Sequence, residues 1–276
     1  MSELASDSSN NLFQDILKAA MHVPGVRINR REFLKKSLSK HYPEQVVNKA
    51  LEFNPAKAGI TSKELDRIAK ACINFETSKV TTISAVAGVP GKFGMLVTVP
   101  ADMTQYFAHV ARVLQKLIYL YGWQDIFNNE DGIDDETLNL LTIFIGVMFG
   151  VNAANVLVQK LAVNAAARAN KVIAAKPLTK GIIYPIVKKI ALRISGQINK
   201  KIFAGGVSKI IPIIGAITSG GLTFMTFRPL ANRLKKHLIS LPIADVNFYN
   251  DKSKLEIDEI VIDVEDFQEE DFDITD

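Results

Sequence analysis

Apolar positions recur along this chain with a helical period, and helix caps and breakers punctuate them. Leu12, Phe13, Ile16, Leu17 and Ala20 share one face of a short amphipathic helix predicted over residues 11–22. Asn29-Arg-Arg-Glu32 has the spacing of a capping box and predicts a helix to about His41. Pro43 suits a first helical position, and the helix it opens ends near Phe53, where Asn54-Pro55 breaks the chain. Thr61-Ser-Lys-Glu64 is a second capping box, opening a long helix through Leu65, Ile68, Ala69, Cys72, Ile73 and Phe75.

The middle of the chain is more apolar. Ile83 to Ala101 carries only Lys92 as a charge, and Gly88, Pro90, Gly91 and Gly94 interrupt it. That pattern predicts two short apolar helical pieces hinged at Gly88-Val-Pro-Gly91. Pro100-Ala-Asp102 opens a helix through Tyr106, Val110, Val113, Leu114, Leu117, Ile118 and Tyr121, which Gly122 ends. An acidic loop follows, and Asp134-Asp-Glu-Thr137 caps the next helix. Leu138 to Val158 is 21 residues without a charge, with Gly146, Gly150 and Ala154 every fourth residue. Such a ridge of small residues lets another helix approach closely. Residues 178–203 read as a basic amphipathic helix, with Ile182, Ile186, Ile190, Ile194 and Ile198 in one row and Pro185 placed to kink it. Ile210 to Phe227 is a further uncharged run, and a basic helix follows from Arg228 to His237.

These elements predict an all-α protein: a multi-helix bundle with glycine-rich apolar helical hairpins and an acidic C-terminal tail. The expected organisation is a disordered stretch over 1–10, N-terminal helices over 11–60, a helical domain over 61–242 and the tail over 243–276. The uncharged runs sit at the length that spans a bilayer, about 20 residues. Three readings stay open for them: helices of a soluble core, segments that touch a membrane surface, and inserted segments.

Charge sharpens the picture. From Thr137 to Ala244 there is no Asp or Glu, yet 15 Lys and Arg. Residues 245–276 carry 13 acids and two lysines, while the first 136 residues balance at 16 of each sign. The modest total of +4 therefore hides two opposite fields. Candidate contacts for an anionic surface are Lys180, Lys188, Lys189, Arg193, Lys200, Lys201, Arg233, Lys235 and Lys236. The tail alternates acidic and β-branched residues from Lys254 to Phe267, closer to a strand period than a helical one. It reads either as a disordered tail or as a segment that docks on the basic face of residues 160–236.

Catalytic and metal-binding patterns are absent from the sequence. The four histidines (His22, His41, His109 and His237) are scattered and read as surface or cap residues. Asp131, Asp134, Asp135 and Glu136 lack calcium-loop spacing and are explained by a helix N-terminus. The single Cys72 excludes an intramolecular disulfide and reads as a small buried residue. Nothing calls for a cofactor. Nucleic acid is disfavoured, because residues 160–209 offer only Tyr184 and Phe203 for base stacking. Asp102, directly after an apolar run, serves its helix N-terminus or acts as a functional acid. With Glu76 and Arg112 it is a candidate for a polar pocket inside the bundle. The polar start of the chain has no signal-peptide pattern, so a cytoplasmic location at the inner face of a membrane is the expectation.

Ala85-Val-Ala-Gly-Val-Pro-Gly-Lys-Phe-Gly94, Val99-Pro-Ala-Asp102 and Leu120-Tyr-Gly-Trp123, followed by Ile211-Pro-Ile-Ile-Gly215 and Arg228-Pro, resemble the EcsC-like family of bacterial proteins over roughly residues 65–240. The resemblance implies a helical, often membrane-associated bacterial protein, with no agreed catalytic residues to carry over. Together these readings favour a non-catalytic, peripheral protein whose basic face binds an anionic membrane or an acidic protein surface, with its own tail (residues 245–276) masking that face. Two alternatives stand beside it: a pore-forming effector that inserts its apolar hairpins, and a soluble enzyme or ligand-binding protein with a pocket in the bundle.

Overall fold

The structure, a computed structural model, describes residues 13–86, 101–127, 133–167, 180–204, 220–251, 267 and 269–273, with side chains over the same ranges except 80–86, 101–102, 180, 194–204, 220–226 and 269. The chain forms α1 (residues 13–21), α2 (Arg30–Leu38), α3 (Glu44–Glu52), α4 (Ser62–Val86), α5 (Ala101–Leu120), α6 (Asp135–Phe149), α7 (Asn152–Ala167), α8 (Lys180–Ala204), α9 (Gly220–Ile239) and α10 (Val246–Asn250). Short 3-10 turns lie at Pro242–Ala244 and Glu269–Phe272. The protein is an all-α helical bundle.

Local chemistry accounts for most helix starts. The Asn29 side chain accepts the Glu32 amide at 2.9 Å. Thr61 and Glu64 cap reciprocally, through the Glu64 amide to Thr61 Oγ1 at 3.3 Å and the Thr61 amide to Glu64 Oε2 at 2.8 Å. Asp134 accepts the Thr137 amide at 2.7 Å. Pro43 takes the cap position itself, so α3 begins one residue later than its spacing suggests.

Helix α5 is the axis of the bundle. From Phe107 to Trp123 every residue except Arg112 is buried. Helices α2, α4, α6 and α9 pack around it, and α9 makes its largest contact with α4. A helix enclosed this way must be apolar nearly all round, as Val110, Val113, Leu114, Leu117 and Ile118 are. At its end Gly122 takes φ +105°, and a Cβ there would lie 2.6 Å from the Ile243 carbonyl oxygen. Arg30 staples the same corner. Its guanidinium donates to the Trp123, Leu51 and Phe53 carbonyls at 3.0, 3.0 and 2.9 Å, joining the ends of α3 and α5.

Three expectations change. The uncharged run from Leu138 to Val158 is not one helix. Gly150 adopts φ +82° and closes α6, with the Val151 amide donating to the Gly146 carbonyl at 2.9 Å. The run folds into a tight hairpin, α6 against α7. The ridge acts inside that hairpin: a Cβ on Gly146 would stand 2.7 Å from Ala154 Cβ and 2.8 Å from Ile186 Cγ2 of α8. Secondly, α9 starts at Gly220 and runs unbroken through Pro229, so the end of the second apolar run and the basic segment after it are one helix. Thirdly, the chain does not leave the core at residue 243. Ile243, Ala244 and Phe248 are buried, and Asn54 Nδ2 donates to Tyr249 Oη at 2.8 Å. The N-terminal helices and this late segment share one core, running from Phe13 to Phe272.

The apolar stretch at 83–101 falls largely outside the described residues, although α4 carries its first part to Val86. Residues 1–10, 210–219 and the alternating part of the tail also lie outside them. Among the described residues no helix is long and apolar enough to cross a membrane.

Two substitutions test this packing. Gly146→Ala gains about 1 kcal/mol of helix propensity but forces a methyl into a filled contact at a cost of about 1–3 kcal/mol. Net destabilisation by urea unfolding is the expected result. Arg30→Met leaves the buried Trp123 and Leu51 carbonyls without this donor, while Phe53 keeps Gln124 Nε2 at 2.6 Å, and is expected to cost roughly 2 kcal/mol or more in the same assay.

Candidate functional site

A buried ionic cluster joins α4 to α5. Glu76, on α4, is fully buried. Arg112 donates to it through Nε at 3.3 Å to Oε2 and through Nη2 at 3.5 Å to Oε1, and the Lys116 ammonium makes a short contact with Oε1. His109, only 5% exposed, points Nδ1 at Oε2 from 3.6 Å, beyond hydrogen-bond reach. Its Nε2 lies 3.5 Å from Gln105 Nε2. Cys72 borders the cluster one turn before Glu76, and burial pushes its thiol up. Phe75 is 52% exposed, with the Lys79 and Lys116 ammoniums 4.8 and 5.3 Å from its ring centre.

Burial alone would push the Glu76 carboxyl up. His109, Lys116 and Arg112 outweigh that and hold it at about 2. Glu76 is thus an ionised carboxylate locked among cations, suited to holding them in place and unsuited to donating a proton.

Of the three pocket candidates, the structure brings Glu76 and Arg112 together. Asp102 is the second residue of α5, and its side chain lies outside the described residues. His109 and Lys116 complete the cluster, and neither was singled out from sequence; His109 is buried and is not the surface or cap residue its spacing implied. A signal was present. Gln105, His109, Arg112 and Lys116 recur at intervals of four, three and four along an otherwise apolar helix, which puts them in one row. Among the described residues no group of three His, Cys, Asp or Glu side chains is arranged to hold a metal ion.

The nine basic candidates separate into distinct situations. Lys188 and Lys236 are exposed. Lys235 pairs with Asp66 at 2.5 Å, and Lys70 shares that carboxylate. These partners hold the Asp66 carboxyl below its usual range. Arg233 donates to the Met148 carbonyl at 3.1 Å, capping the end of α6. Lys189 pairs with Asp273 at 2.5 Å. Arg193 is half-buried on α8, and the side chains of Lys180, Lys200 and Lys201 lie outside the described residues.

Asp273 belongs to a docked C-terminal segment. The Asn152 amide donates to its carbonyl at 3.0 Å, anchoring it at the start of α7. Phe272 is buried and lies tilted against Phe267, ring centres 6.0 Å apart, and Lys160 of α7 sits over the Phe267 ring at 5.4 Å. One turn along α8 from Lys188, Leu192 is 56% exposed.

The chain matches no family model, no curated protein and no solved structure.

The Glu76 carboxyl makes a pH prediction. Its folded-state pKa lies below the unfolded one, so its stabilisation is present above about pH 4.5 and is lost as pH falls towards 2. Glu76→Gln is expected to be less stable than wild type at neutral pH by about 3 kcal/mol. The gap should close on acidification through that window, as read by urea midpoints between neutral pH and pH 2. A gap that stays constant would show that the charge of Glu76 does not hold the cluster.

Proposed function

We propose that this is a non-catalytic protein of the cytoplasmic face of a membrane, which docks on anionic lipid through α8 and is restrained by its own acidic C-terminal segment. The observation that carries this reading is the composition of the α8 surface. Leu192 stands exposed with Lys188 one turn before it and Arg193 beside it, while the neighbouring Lys189 is held by Asp273. An exposed apolar side chain among cations suits the boundary between lipid headgroups and acyl chains. Each Lys or Arg near an anionic leaflet contributes about 1 kcal/mol, and fully burying a leucine contributes about 1.5–3 kcal/mol. Those terms are small enough for the ion pair and aromatic contacts of the tail to compete with them.

The resemblance to the EcsC-like family implies membrane association as well. In this reading, release of residues 252–276 frees Lys189 for lipid. The truncation must follow Asp251, because Phe248 and Tyr249 belong to the core.

Flotation with phosphatidylcholine vesicles, with and without phosphatidylserine, tests it. The truncated protein is expected to float on the anionic vesicles more strongly than the full chain, and raised salt should release it. Leu192→Asp should abolish flotation of the truncated form without altering its fold. If neither form floats on any vesicle, α8 serves a soluble acidic partner and the membrane reading is wrong.

A further inference from the structure

The cluster around Glu76 holds more donors than acceptors. Arg112 offers five N–H groups and Lys116 three, while Glu76 is the single carboxylate that meets them among the described residues. Arg112 spends Nε and Nη2 on Glu76. Its Nη1 turns the other way, towards Gly25, where a Cβ would stand 3.4 Å from that nitrogen. Gly25 takes φ +75°, a conformation natural to glycine, and is exposed. The guanidinium therefore has one edge on Glu76 and one edge at an open backbone. His109 Nδ1 is buried without a hydrogen-bond partner. With two permanent cations and one anion, the group carries an unbalanced positive charge at a site where Arg112 and Lys116 side chains are only 19% and 11% exposed. Unpaired buried charge is costly, and a ligand with several acceptor oxygens would relieve it.

We infer that Arg112 and Lys116, held in place by Glu76 and His109, form a binding site for a phosphate-class oxyanion, either free phosphate or the phosphate of a monoester. The planar Arg112 fork supplies two parallel donors to such a group. Lys116 supplies a point charge, and the buried His109 ring, whose Nδ1 faces Glu76 Oε2 from 3.6 Å, backs the carboxylate that holds the two cations. Glu76 acts as the positioning residue: without it the two cations would repel each other and lose their geometry. Phe75, exposed between Lys79 and Lys116, forms an apolar wall on which the organic part of a monoester can lie. This site sits between α4 and α5 and owes nothing to the α8 surface, so it stands or falls separately from membrane docking.

Isothermal titration calorimetry on the full chain tests it, with inorganic phosphate in one arm and glycerol phosphate in the other, at constant ionic strength. Saturable binding of either probe is expected, and it should weaken about tenfold to a hundredfold in Arg112→Gln, the loss of one charge-assisted hydrogen bond pair. Arg112→Lys keeps the charge and loses the fork, and should also weaken binding if the fork is what recognises the anion. His109→Asn provides a second variant that leaves the ion pairs with Glu76 intact, and it should weaken binding as well. Lys188→Gln, on the α8 surface, should leave the affinity unchanged. Binding of phosphate but not of the ester assigns the site to the free anion; binding of both assigns it to a monoester. Absence of binding in both arms overturns the proposal, as does binding that survives Arg112→Gln and His109→Asn but falls in Lys188→Gln.

Discussion

Enclosure of α5 is the constraint on which the rest of the structure depends. A helix surrounded on all sides can keep a polar group only if a neighbour supplies its partner. Four polar residues of α5 make this demand in succession. Gln115 is met by the segment before α2: its amide nitrogen donates to the Val26 carbonyl at 3.0 Å, and its oxygen accepts the Ile28 amide at 2.8 Å. Arg112 and Lys116 are met by Glu76 of α4, and His109 faces the same carboxylate from 3.6 Å. Each of these contacts fixes the register of one neighbour against the axis. An apolar interface would tolerate sliding by a turn, whereas a sliding α4 would strand a carboxylate in the core. The cluster thus specifies how α4 lies on α5.

The same logic governs the ends of the elements. The corner after α5 turns at Gly122, and the chain of Pro242–Ala244 lies directly against it. Arg30 fills the adjacent gap and satisfies three carbonyls that no helix could satisfy itself. Burial lowers the affinity of that guanidinium for its proton, yet an arginine stays charged under such pressure, which is why arginine suits this position better than lysine. The α6–α7 hairpin depends on glycine twice, once for the left-handed turn at Gly150 and once for contact at Gly146.

Much of this was legible in the sequence where the physics is local. Capping boxes at Asn29 and Thr61 and the cap at Asp134 mark true helix starts, because the residues that make them lie three apart. The all-α class follows from the period of the apolar positions. What was not legible was set by partners far along the chain. Hydropathy alone does not tell one apolar helix of 21 residues from a hairpin of two, since both avoid charge; only the backbone at Gly150 decides. Isoleucines at fourth positions along α8 describe its buried face as far as Ile190, but they do not say which helix covers it. Glu76 and Arg112 were singled out from sequence without His109 and Lys116, because a polar row inside an apolar helix is easily read as scattered residues. Its interval of three and four, read against the apolar background, was the available clue.

The charge asymmetry of the sequence acquires a physical meaning from the fold. A span without acids cannot satisfy its own cations. Each one must find a carboxylate from another part of the chain, a backbone carbonyl, or an anion outside the molecule. The first two solutions have a place among the described residues. Lys235 takes Asp66 from α4, Lys189 takes Asp273 from the C-terminal segment, and Arg233 takes the Met148 carbonyl. These engaged cations turn towards the bundle, while Arg228, Lys188 and Lys236 are left exposed. The Asp66 and Asp273 pairs differ in how firmly they bind. Asp66 is half-buried and shared by Lys70 of its own helix and Lys235 of α9, so parting the Lys235 pair requires α4 and α9 to separate. Asp273 is exposed and reaches Lys189 from a short turn held by two aromatic rings and one backbone hydrogen bond. An exposed pair of this kind contributes at most about 1 kcal/mol. Of these two long-range pairs, the one at Lys189 is therefore the one that parts without unfolding the bundle.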